Sequence, residues 1–189
     1  MSNLSNLNDD LKNALSSVIS GAGDVASTVQ NVSRENVVKL LSGAGDVAAT
    51  GLQTIDAVVS EGLEIISSTG SSLTDGVTGL VRGVIDGAKD TGVNITQAAE
   101  EAASQAVKTA SKVGGDVGEI AISSVQGAIQ AAGDIGEDSG ELAKSAVMGT
   151  LKAADEIGSE AGSIIRKALL NAAALPHDVI DALLTGKTS

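Results

Sequence analysis

The sequence predicts an all-α chain: a long amphipathic helix of 11-residue repeats, either kinked or folded into helical hairpins. Three observations predict it. Apolar residues recur every eleven positions along nearly the whole chain. Charged residues avoid that apolar set almost completely. The period-2 alternation of a half-buried strand is missing.

The repeat is visible by eye. Gly-Ala-Gly-Asp-Val-Ala stands at Gly21–Ala26 and again two elevens later at Gly43–Ala48. Gly51-Leu52 recurs one eleven on as Gly62-Leu63, and Gly127 and Gly149 open two similar blocks. Cutting from Asn6 gives gapless blocks, among them SVISGAGDVAS, SLTDGVTGLVR, GVIDGAKDTGV and NITQAAEEAAS. The second, third, fifth, sixth, ninth and tenth block positions are mainly Ala, Val, Ile, Leu or Gly. Of the charged residues inside full blocks, only Asp10 falls on that set. Eleven residues make three turns at about 3.67 residues per turn. The apolar positions then form one arc of about 160°, and it does not drift along the axis.

Taken in order, residues 1–5 are expected to fray, 6–175 carry the repeat, and 176–189 form a short C-terminal helix and tail. Glycine is the main cost of a continuous helix: there are 23, each unfavourable by about 1 kcal/mol relative to Ala. Helicity therefore depends on a second surface that buries the arc. Gly21 and Gly43 are expected at contact positions, where a missing side chain permits close approach. Ser67–Gly76, Gly114–Gly118 and Gly133–Gly140 combine Gly with Ser or Asp and mark hinges. The repeat keeps its phase through all three, which favours kinks or a continuous helix over true linkers. Gln97–Val113, rich in Ala, Glu and Lys, is the strongest helical stretch. Pro176, the only proline, ends the repeat and can open a last helix over His177–Leu184.

Composition limits the function. The chain has no Phe, Trp, Tyr or Cys, so its contacts are built from small aliphatic side chains. It is 42% hydrophobic, too apolar for a solvated disordered tail. A net charge of −12 opposes nucleic acid and gives no pull toward anionic membranes. Neither a signal peptide nor an apolar stretch of spanning length is apparent, so the expected location is cytoplasmic, peripheral on a membrane or lipid-body surface.

Catalytic chemistry has little to stand on. Leu184–Ser189 ends like a phosphate-binding loop, but Asp181 stands where that motif needs Gly. His177 is the only histidine and sits at a polar position, suited to a solvated or capping role. The acidic pairs Glu100-Glu101 and Asp155-Glu156 lie on the polar arc. The expectation is a non-enzymatic chain with no catalytic, cofactor or metal site and no small-molecule substrate.

Ser72–Val93 and Gly114–Gly133 resemble the 11-residue repeats of the synucleins and perilipins, with a Gly/Ala/Val/Thr apolar face and no aromatics. The resemblance implies a chain that becomes helical on a vesicle or lipid droplet. It covers nearly the whole length as a pattern and rests on no specific motif. Those repeats carry Lys beside the apolar face, whereas this chain is acidic. Late-embryogenesis repeats are more charged, and Thr does not recur at one block position as ice binding would need. The expected contact face comprises Val18, Leu40, Leu52, Leu63, Ile66, Val84, Ile85, Val107, Ile120, Ile129, Leu151 and Ile165. Its expected partner is a lipid surface. The alternative is identical chains, assembled through the same face into a homo-oligomeric bundle, coiled coil, filament or sheet.

Overall fold

A computed structural model describes residues 2–19, 24–173, 175–177 and 180, excluding the side chains of 2–5, 7, 18 and 19. Over these residues the chain is all-helical. Instead of one long helix it forms eight: α1 (Ser2–Ile19), α2 (Val25–Ser42), α3 (Val47–Ser68), α4 (Leu73–Thr91), α5 (Ile95–Lys112), α6 (Val117–Ile135), α7 (Ser139–Ile157) and α8 (Ser159–Asn171).

The breaks follow from helix-end chemistry. Gly70, Gly92, Gly114 and Gly136 lie two elevens apart and all have φ between 72° and 82°. That left-handed conformation strains residues with a side chain and suits the position just past a helix end. At Gly92 the Val93 N–H then reaches back to the Ala88 carbonyl at 3.0 Å. Two residues beyond each of these glycines stands a side chain that caps the next helix: Ser72, Asn94, Asp116 and Asp138. Asp116 accepts from the Gly118 and Glu119 N–H groups at 2.9 and 3.0 Å, and Asp138 accepts from Gly140 and Glu141 in the same way. Asp24 and Asp46 cap α2 and α3 likewise.

These turns correct the expectation of kinks. Ser67–Gly76, Gly114–Gly118 and Gly133–Gly140 each contain a chain reversal between separate helices. The phase survives because the caps Asp24 and Asp46, and again Ser72, Asn94, Asp116 and Asp138, stand 22 residues apart, so that one helix plus one turn spans two elevens. Two steps differ: α8 starts two residues early, after Gly158 and without a side-chain cap, and α3 is the longest helix at 22 residues. It delays the next cap by four residues, about one helical turn, which leaves the apolar arc nearly where it was.

Each helix packs against its next neighbours and its next-but-one neighbours in sequence, and against no others among the described elements. The heaviest packing joins α2 to α4, α5 to α7 and α4 to α6. The chain thus stacks in two rows, α1–α3–α5–α7 and α2–α4–α6–α8, in the quasi-one-dimensional manner of helical repeat proteins. Direction can be read from the contacts. Gly79, Gly83 and Gly87 lie over Ala26, Gln30 and Arg34 in rising order, so α2 and α4 run parallel. Gly62 meets Leu80 while Ile66 meets Gly76, so α3 and α4 run antiparallel.

Candidate functional site

The expected contact face is the starting point. Leu63, Ile66, Val84, Ile85, Val107, Ile120 and Ile165 are fully buried between the rows. Leu40, Leu52, Ile129 and Leu151 are partly buried against the same core. Val18 lies outside the described side chains. The face is continuous along the stack, and it is occupied by helices of this same chain.

The buried surface is wider than the apolar arc. Gly79, Gly83, Gly127 and Gly149 stand at block positions read as polar, yet all are buried. A Cβ on Gly79, Gly83 or Gly149 would collide with the carbonyl oxygen of Ala26, Gln30 or Glu100, and one on Gly127 would lie 2.7 Å from that of Thr78. Glycine lets one helix backbone rest on another. By contrast Gly43, expected at a contact, is exposed at the C-cap of α2 with nothing within 4 Å of a Cβ. Its twin Gly21 lies outside the described residues. The signal that separates these roles is the neighbour across the seam, which a block position does not carry.

Charges bridge each row along its solvent side. Between α2, α4 and α6, Arg34 pairs with Asp90 at 2.7 Å and Lys89 with Glu137 at 3.0 Å. Arg82 grips Asp134 with two bonds of 2.5 and 2.8 Å, and this holds the Asp134 carboxyl below its ordinary range. Gln30 donates to Asp86 at 2.7 Å and to Asp134 at 3.4 Å. Gln30, Arg34, Asp86, Lys89, Asp90 and Asp134 line a shallow groove of about 290 Å³. Along the other row, Lys108 reaches Glu156 at 3.4 Å and Lys152 reaches Glu101 at 3.7 Å. Of the two acidic pairs, Glu101 and Glu156 therefore serve as rungs between helices.

Two carboxyls depart upward from the ordinary range. Burial pushes Asp56 up to about 7, helped by a hydrogen bond and charge repulsion from Glu101, while Lys108 and Lys152 oppose the shift. Burial also raises Asp86; the Gln30 amide opposes this, and the Asp134 charge adds to it. Adjacent-residue pairs such as Asp155-Glu156 could not have flagged them, because each meets its partner from another helix.

No group of three His, Asp or Glu placed to hold a metal occurs among the described residues. No described helix is long and apolar enough to cross a membrane. His177 is exposed. Beyond α8, the Ile180 N–H bonds to the Pro176 carbonyl at 3.2 Å, which is one helical turn; the loop-like Leu184–Ser189 lies outside the described residues. Comparison with protein-family models, with curated proteins and with solved structures gives no match.

Proposed function

We propose that this is a non-enzymatic helical-repeat protein that coats a neutral lipid surface, opening its two-row stack so that the face buried between the rows lies on lipid instead. One observation carries the reading: the same aliphatic face runs through the whole stack, with no aromatic side chain to anchor any part of it. A face made of Ala, Gly, Val and Ile gains about the same from another helix as from a shallow lipid interface. The cost of leaving the stack is therefore largely matched on arrival. The acidic outer face stays in water in both states. Length supplies the affinity, since each block contributes little after ordering costs.

The test is binding to zwitterionic vesicles, followed by co-flotation and far-UV circular dichroism. The native chain is expected to bind and stay helical. A cross-linked form, with cysteines at 34 and 90 joined by a short thiol-reactive bridge, is expected not to bind. Those two side chains pair at 2.7 Å across the α2·α4 seam, and the chain has no native cysteine. Equal binding by the bridged form would defeat the opening step. Absence of vesicle binding, together with concentration-dependent association, would instead favour identical chains as the partner, exchanging helices across equivalent seams.

A further inference from the structure

The two charged ladders share an irregularity that ion pairing leaves unexplained. In the α2–α4–α6 ladder, Asp90, Asp134 and Glu137 each have a cation, namely Arg34, Arg82 and Lys89. Asp86 is the carboxyl left over. It is only 5% exposed, one oxygen takes the Gln30 amide, and the other, Oδ1, is shut from solvent without a hydrogen-bond partner. In the α3–α5–α7 ladder, Glu101 and Glu156 have Lys152 and Lys108. Asp56 is left over, and its Oδ1 is likewise shut off and unpartnered. Beside the paired carboxyls of each ladder there thus stands one carboxyl without a cation of its own, and in each ladder that group is the one with an orphaned oxygen.

An orphaned acceptor is costly on a carboxylate and far less so on a carboxylic acid, whose O–H can turn to a neighbour. We propose that Asp56 and Asp86 are proton-operated clasps, one for each row, which keep the stack closed while protonated and loosen it when they ionise. A proton on Asp56 can be shared with the Glu101 carboxyl across the α3·α5 seam. Its loss leaves two carboxylates facing each other. A proton on Asp86 spares that seam a buried anion beside Asp134, and its loss puts two negative charges under one Gln30 amide.

The surroundings leave no other ionisable group to take over this role. Asp56 faces Glu101 and Lys108 of α5 and Lys152 of α7. The buried residues of α1 and α2 include no ionisable side chain among those described, and the one on α4 is Asp86 itself. Asp86 faces Arg34 of α2, Arg82 of its own helix and Asp134 of α6, with Lys89 and Asp90 on the groove wall. The buried faces of α3 and α5 carry no ionisable residue.

The sign follows from the upward shifts. Both groups bind their proton more tightly in the folded chain than in the unfolded one. Their stabilising effect is complete below the ordinary Asp range and is lost as pH rises, for Asp56 through about 7. The chain should thus be less stable on the alkaline side. His177, the only histidine, is exposed beyond α8.

The experiment is urea denaturation of the full chain between about pH 5 and about pH 8, alongside carboxyl carbon NMR titration. After allowing for solvent screening, the folding equilibrium should fall about tenfold across that range. Asp56→Asn should remove most of the fall near neutrality and exceed the native chain in stability on the alkaline side. Asp86→Asn should reduce the fall further, and the double variant should be the flattest of the set. Asp90→Asn, which deletes a paired and exposed carboxylate, should keep the native slope. A native chain with level stability across the range, or a double variant that keeps the slope, would overturn the proposal. Should the Asn variants fail to fold, the NMR titration of the native chain decides: two carboxyls protonated well above the ordinary range support the clasps, and none overturns them.

Discussion

The α2·α4 seam and the α5·α7 seam bring parallel helices together by different means. In the first, Gly79, Gly83 and Gly87 form a stripe at four-residue spacing, and α2 rests its backbone on it. In the second, Gly149 is the glycine that meets the backbone, at the Glu100 carbonyl, and the buried residues of both helices are largely alanine, among them Ala98, Ala102 and Ala106 on α5 and Ala146 and Ala153 on α7. Glycine permits the closer approach but weakens the helix that carries it, by about 1 kcal/mol per residue against Ala. Alanine keeps the helix strong and accepts a slightly wider gap. α4 therefore depends on its neighbours for its helicity more than α5 does. A repeat that looks uniform in sequence has a tertiary-dependent half and a locally stable half.

Truncating one large buried side chain on each helix should separate these halves most strongly. Ile85→Ala on α4 should cost about 3–4 kcal/mol in urea denaturation, and Val107→Ala on α5 about 2 kcal/mol; both side chains are fully buried. Adding a methyl group comes next. Gly83→Ala and Gly149→Ala should each lose about 1–3 kcal/mol, because the new Cβ lands on a backbone carbonyl that cannot swing aside. A neutral result at Gly83 alone would show that the glycine stripe is looser than its geometry implies. The reverse sign is expected at Gly133 in α6, where nothing lies within 4 Å of a Cβ. There Gly→Ala should add about 0.5–1 kcal/mol through helix propensity. The smallest effect belongs to the surface: Arg82→Gln should cost about 1 kcal/mol at most, and added salt should shrink the difference.

Much of the fold was legible in the residues. The helical class and the burial of Leu63, Ile66, Ile85 and Ile120 agree with the expectation of helices with one apolar side. The turns have their own sign in the residues: Gly70, Gly92, Gly114 and Gly136 recur at two elevens, each two residues ahead of a capping Ser, Asn or Asp. A helix stop and a helix start at fixed spacing outweigh the period, because a turn that completes the repeat conserves the phase. The candidate site was less legible. Asp56 and Asp86 occupy block positions read as solvated, and nothing beside them in the chain distinguishes them from Asp90 or Glu64.

By itself, the sequence determined that the chain is helical, which residues make up the apolar side and which Ser, Asn and Asp side chains can cap a helix, since these depend on residues within a few positions of one another. Only the tertiary structure decided what covers that side. Stacking alternate helices in parallel rows brings Gln30 to Asp86, Arg82 to Asp134 and Asp56 to Glu101. Burial and charge depend on distances in space, so the same aspartate is a solvated ornament in one row position and a proton-sensitive joint in another.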